Sequence, residues 1–121
     1  MNYAYLIIPL IVAISSQAIK LATDGIKGNF SFKNFFITYG GMPSTHSALT
    51  ASITTLLGLK IGFASPIFAV SLVFTIIVMR DAVTFRKILG EQLNRQLGHT
   101  TPQVLAGGAW GIIITYLLTL I

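Results

Sequence analysis

The chain has 121 residues, of which 54% are hydrophobic and 9% charged, with a net charge of +5 and a mean hydropathy of +0.80. A soluble domain carries about 25% charged residues, so this chain cannot cover a globule with polar surface and reads as one membrane-embedded domain over residues 1–121. The absence of cysteine excludes disulfides and cysteine-based metal sites, and dispersed basic residues on such a chain point to topology and anionic headgroups, with no nucleic acid as partner.

Four apolar stretches predict membrane-crossing helices, at about residues 3–21, 47–59, 66–79 and 104–121. No Lys or Arg precedes the first, and Lys20 follows it, so it reads as a retained helix and not a cleaved signal. The second and third fall short of the roughly 20 residues that a span takes at about 1.5 Å per residue. They extend into their flanks or meet a thinned bilayer. Gly58, Gly62, Ser65 and Pro66 predict a tight turn between them. Ahead of the second helix, Phe35, Phe36, Ile37 and Tyr39 form an apolar patch too short to span, which reads as interfacial or re-entrant. The expected fold is all-α: an integral membrane helical bundle of about four transmembrane helices.

Two loops, from Lys20 to His46 and from Arg80 to Pro102, hold nearly all the polar chemistry. Four spans put both loops on one face. Seven of the eight cations lie there, against Lys60 alone on the other face. The positive-inside rule then puts the loops in the cytoplasm, on a plasma or inner membrane, with both termini outside. A phosphate site would gather cations in the same way.

Gly40-Gly41-Met42-Pro43-Ser44-Thr45-His46-Ser47 carries the strongest chemical signal. The glycines permit unusual backbone angles, Pro43 tolerates a helix start, and Ser44 or Thr45 is suited to cap it. His46 then falls in the first turn, where free N–H groups and the helix dipole suit a phosphate. Gly98-His99-Thr100-Thr101-Pro102 repeats the arrangement before the fourth helix, with Thr101 as cap and Pro102 as first helical residue. Helices two and four run in the same direction, so the only two histidines emerge on one face with Lys20, Lys27, Arg86 and Lys87 around them. That constellation is an anion site with a nucleophile and an acid available. The plainer alternatives are anchoring of Lys20, Lys27 and Arg80 at the headgroups, and an ion pair of Asp81 with Arg80 or Arg86. Gly107 and Gly111 form a small-residue pattern suited to helix packing, and Trp110 reads as lipid-facing or core.

These segments resemble the type 2 phosphatidic acid phosphatase superfamily, which includes vanadium-dependent haloperoxidases, and more closely its divergent branch of small membrane proteins. The first superfamily motif is Lys, six residues, Arg-Pro; here Lys20 and Lys27 keep the spacing, with Gly28 in the Pro place. The second is Pro-Ser-Gly-His, matched by Pro43-Ser44-Thr45-His46. The third is Ser-Arg, five residues, His, three residues, Asp; His99 matches, Leu93 stands at the Arg and Gln103 at the Asp. Asp81-Ala82 through Arg86-Lys87 resembles the divergent branch's own pattern.

The resemblance implies a phosphatase acting on a lipid-linked phosphate, without metal or other cofactor. It implies that His99 attacks phosphorus to form a phosphohistidine and that His46 protonates the leaving oxygen. Lys20, Lys27, Arg86 and Lys87 would neutralise the phosphoryl oxygens, and Ser44 and Thr45 would add hydrogen bonds. Asp81, or next Glu91, is the candidate to orient His99 where Gln103 replaces the aspartate. Two alternatives stand beside it: a lipid-phosphate binding or transport component without catalysis, and a structural subunit whose loops dock a partner. The partners implied are the lipid substrate, the bilayer and a second copy of the chain, through small-residue faces.

Overall fold

The computed structural model describes residues 3–24, 45–84, 88–89, 92 and 101–121. Among these, four helices have defined ends and no strand occurs. They are α1 (Ala4–Asp24), α2 (Thr45–Lys60), α3 (Pro66–Val83) and α4 (Thr101–Thr119). All four expected helices are present, and each runs past its apolar stretch at one end or both. α1 continues past Lys20 because Ala18 to Asp24 contains no breaker before Gly25. α3 carries Arg80 and Asp81 inside its last turn. α2 gains a residue or two at each end. The Phe35–Tyr39 patch lies outside the described residues.

The turn between α2 and α3 forms where the sequence places it. Gly62 has φ +126°, a conformation that glycine adopts freely. Its N–H donates to Leu57 O at 3.1 Å, closing the end of α2. Ser65 caps α3 by accepting from Phe68 N at 3.3 Å, and Pro66 follows in the first turn. The Phe63 ring lies over Gly58 and meets Phe68 edge-on at 5.2 Å.

α2 is the central helix and packs against the other three. Ala48 lies against Gly111 and Ser52 Oγ lies 2.5 Å from Thr115 Oγ1, so α2 and α4 run parallel in fixed register. Thr54 Oγ1 bonds Ser71 Oγ at 2.6 Å and Thr75 Oγ1 at 2.7 Å, and Thr75 also donates to Thr50 O at 3.1 Å, so α3 runs antiparallel to α2. Trp110 Nε1 donates to Ser15 Oγ at 2.9 Å and ties α4 to α1.

Hydroxyl and small side chains share the interior with Val12, Leu56, Leu57 and Val104. Ser16, Gln17, Ser47, Thr50, Ser52, Thr54, Thr75 and Thr115 are buried, while Leu6, Ile14, Val70, Phe74, Ile77, Ile113 and Leu117 are exposed. This inside-out distribution is the one expected of helices packed in lipid, where small residues allow close approach and hydroxyls bond across helices. α3 and α4 are both long and apolar enough to cross a membrane. Gly107, Gly108 and Gly111 are all buried, so the small-residue face of α4 is occupied within the chain, against α2 and α3.

Candidate functional site

The first residue of α2 defines the level of the site. Thr45 Oγ1 donates to Gln17 Oε1 at 3.0 Å and lies 3.2 Å from Ser16 Oγ. Because Thr45 donates to Gln17, the Ser16 hydroxyl is the donor to Thr45. Both α1 residues are buried. The register of Ala48 on Gly111 sets Thr45 level with Gly108, and the Met79 side chain lies against Gly108. The start of α2, the last turn of α3, the Ser16–Gln17 turn of α1 and the Gly107–Gly108 pair of α4 therefore share one end of the bundle.

The helices do not all stop at that level. From Gly108 back to Thr101, α4 rises about 10 Å, and from Gln17 to Asp24 α1 rises about 10 Å more. α2 thus begins about two turns inside the ends of α1 and α4. The positive dipole end of α2 therefore lies between the longer ends of α1 and α4. Lys20 lies on the α1 wall, one turn beyond Ser16 and Gln17.

His46 is the second residue of α2 and is exposed; its carbonyl accepts from Thr50 Oγ1 at 2.9 Å. Thr45 is helical from the outset, and its hydroxyl bonds α1 instead of capping α2. Asp81 is half-buried in the last turn of α3, near the level of Thr45, with Arg80 exposed beside it. No ion pair joins Asp81 to Arg80 among the described residues. Thr101 is the first residue of α4, Pro102 the second, and Gln103 is half-buried in the same turn. Lys27, Ser44, Arg86, Lys87, Glu91, Leu93 and His99 lie outside the described residues. Among the described residues no group of three or more His, Asp or Glu is placed to hold a metal.

Ser16 and Gln17 are the polar residues of this region that sequence reasoning passed over. The signal was present, since Ser15-Ser16-Gln17 is the only polar run in the first apolar stretch and sits one turn before Lys20.

Below the site, toward the middle of the bundle, α1, α2 and α3 line an apolar groove of about 350 Å³, formed by Tyr5, Leu6, Pro9, Leu10, Leu49, Thr50, Ile53 and Phe74. Leu49, Thr50 and Ile53 stand three, four and seven residues after His46, on its face of α2. The groove therefore begins one turn from the imidazole.

The model of the Divergent PAP2 family matches residues 1–114. A Bacillus subtilis (strain 168) relative, described as the uncharacterized membrane protein YuiD, is 30% identical over 141 aligned positions, covering 90% of this chain and 89% of the relative. No solved structure matches. With that match spanning nearly the whole chain, including the recessed Thr45–His46 turn, the chain belongs to the divergent PAP2 family.

Proposed function

We propose that this chain is a membrane-embedded, metal-independent hydrolase of a lipid-linked phosphate that works through a phosphohistidine. The single observation that carries the reading is the recessed N-terminus of α2, with His46 in its first turn, in a chain of the divergent PAP2 family. A phosphate seated there meets a favourable helix dipole. In the proposed reaction an imidazole nitrogen of His99 attacks phosphorus and the bond to the lipid oxygen breaks. His46 gives that oxygen a proton. Water then cleaves the phosphorus–nitrogen bond, releasing phosphate and restoring both histidines. Lys20, Lys27, Arg86 and Lys87 balance the equatorial charge, Ser44 and Thr45 add hydrogen bonds, and Asp81 orients His99.

The apolar groove supports an amphiphilic substrate. A chain attached to a phosphate at His46 reaches it within one helical turn, and its walls are almost wholly apolar. The inside-out distribution of side chains and the membrane description of the Bacillus relative support a site at the membrane surface. A second reading, lipid-phosphate binding or transport without turnover, is favoured by Gln103 standing where the superfamily carries aspartate.

The test is phosphate release by the purified protein from phosphatidic acid, phosphatidylglycerophosphate and polyprenyl phosphates. The wild type should release phosphate from at least one. His99→Ala should abolish release, and His46→Ala should slow it by about 10²- to 10⁴-fold. Folded wild-type protein that releases nothing while binding these lipids would establish the second reading instead.

A further inference from the structure

We infer that the groove between α1 and α3 seats the hydrocarbon chain of the phosphate ligand, and that it favours a chain borne directly on the phosphate ester oxygen, as in an alkyl or prenyl phosphate, over a glycerolipid. The inference rests on the reading above only for the place of the phosphate, at His46. α2 is the central helix, and between Ser47 and Gly58 only Leu49, Ile53 and Thr55 are not buried. Leu49 and Ile53 stand on the face of the exposed His46, and Thr55 stands on the opposite one. Leu56 and Leu57 follow on the His46 face and are buried. The uncovered stripe of α2 therefore starts at His46, runs about 10 Å and closes after Ile53. That stripe is the floor of the groove, so the groove is continuous with the site and finite in depth.

The walls select the chain. Leu6, Pro9 and Leu10 come from α1 and Phe74 from α3. Both helices pack on α2 but scarcely on each other, so the groove opens sideways, where Leu6, Leu10 and Phe74 are exposed among the other lipid-facing side chains. A chain enters it from the bilayer without leaving hydrocarbon. The Thr50 hydroxyl donates within its own helix, to His46 O at 2.9 Å. The other hydroxyl of the walls belongs to Tyr5, about 8 Å further along α1 than Leu10. An ester carbonyl entering near Leu49 thus meets no donor among the groove residues. A glycerolipid carries its two ester groups within a few bonds of the phosphate, at the mouth of the groove, where burying them without partners is costly. A chain joined straight to the phosphate oxygen is hydrocarbon from its first carbon, and a floor one stripe wide accepts one chain.

The experiment maps the chain by photocrosslinking in full-length protein held in phosphatidylcholine nanodiscs. The probes are hexadecyl phosphates with a diazirine near the phosphate or near the far end of the chain, and the matching alcohols without phosphate. The near probe should label Leu49 or Leu10 and the far probe Ile53, Leu6 or Phe74. The alcohols should label the groove no more than exposed sites such as Val70 and Ile113. Excess unlabelled hexadecyl phosphate should clear the groove labels, and dipalmitoyl phosphatidic acid at the same mole fraction should clear them at least tenfold less well, the lower end of what apolar pockets achieve between related ligands. Ile53→Trp puts bulk where the chain lies. It should remove the far label and cut kcat/KM for hexadecyl phosphate by about tenfold or more, leaving ethyl phosphate, too short to reach it, unchanged. Val70→Trp, outside the groove, should change neither. Should Ile53→Trp not fold, the wild-type labelling and competition decide alone. Phosphate probes that label like the alcohols, phosphatidic acid that competes equally, or no groove label at all would overturn the inference. Groove labelling without turnover of any substrate would sink the hydrolase and leave the chain seat standing, whereas turnover with labels outside the groove would sink only the chain seat.

Discussion

Thr75 joins two helices with a single hydroxyl. Its Oγ1 lies 2.7 Å from Thr54 Oγ1 and donates toward Thr50 O at 3.1 Å and Ser71 O at 2.9 Å. Thr75→Val keeps the shape and removes the hydroxyl. The loss should be about 1 kcal/mol, in the range measured for interhelical hydrogen bonds in membrane proteins. Thr55 gives the contrast, since its hydroxyl bonds only Ala51 O of its own helix at 2.7 Å. Thr55→Val should leave stability nearly unchanged. Reversible unfolding in mixed micelles measures both, and equal effects would show that the cross-helix bond contributes nothing of its own. At this scale the sequence was legible for His46, whose position at a helix start follows from the Gly, Pro and Ser before it. Gln17 was not legible, because one polar residue in an apolar run says nothing about which neighbour its amide meets. Only the packing of α1 on Thr45 supplies its partner.

Among the helices, α2 and α4 meet most closely at Gly111. A Cβ there would collide with the backbone carbonyl of Ala48, and backbone cannot swing aside as a side chain can. Gly111→Ala gains helix propensity worth up to about 1 kcal/mol, but it overpacks the seam at a cost of about 1–3 kcal/mol. The net sign should be destabilising, with α4 displaced from α2. Unfolding midpoints would check it, and a variant more stable than wild type would refute the close approach. The presence of four helices and the turn at Gly62 to Pro66 could be read from hydropathy and turn chemistry. The lengths of α1 and α3 could not, because charge marks where a chain leaves the lipid and not where its backbone stops coiling. Lys20, Arg80 and Asp81 are helical despite their charge. The recess at α2 was equally out of reach. It comes from the register of Ala48 on Gly111 and of Ser16 on Thr45, and such a register exists only once helices pack.

For the whole molecule, the open quantity is orientation. α2 and α4 run parallel and α1 and α3 run opposite to them, so α1 and α3 end, and α2 and α4 begin, at one end of the bundle. Two physical causes gather cations at that end. One is the insertion rule, which retains Lys and Arg in the cytoplasm; the other is a phosphate site, which needs positive charge wherever it faces. Lys33 and Arg95 separate the two, because no family motif assigns them to the site, yet they lie in the same loops. Cations without a binding role are best explained by insertion, so we expect the site on the cytoplasmic side. Reporters fused after Ile121 and inserted in the Gly62–Ala64 turn should both read out as extracytoplasmic. A cytoplasmic signal from both would invert the protein and turn the site outward. The charge asymmetry would then belong to phosphate binding, and Lys33→Gln with Arg95→Gln would be expected to weaken lipid-phosphate affinity while leaving orientation untouched.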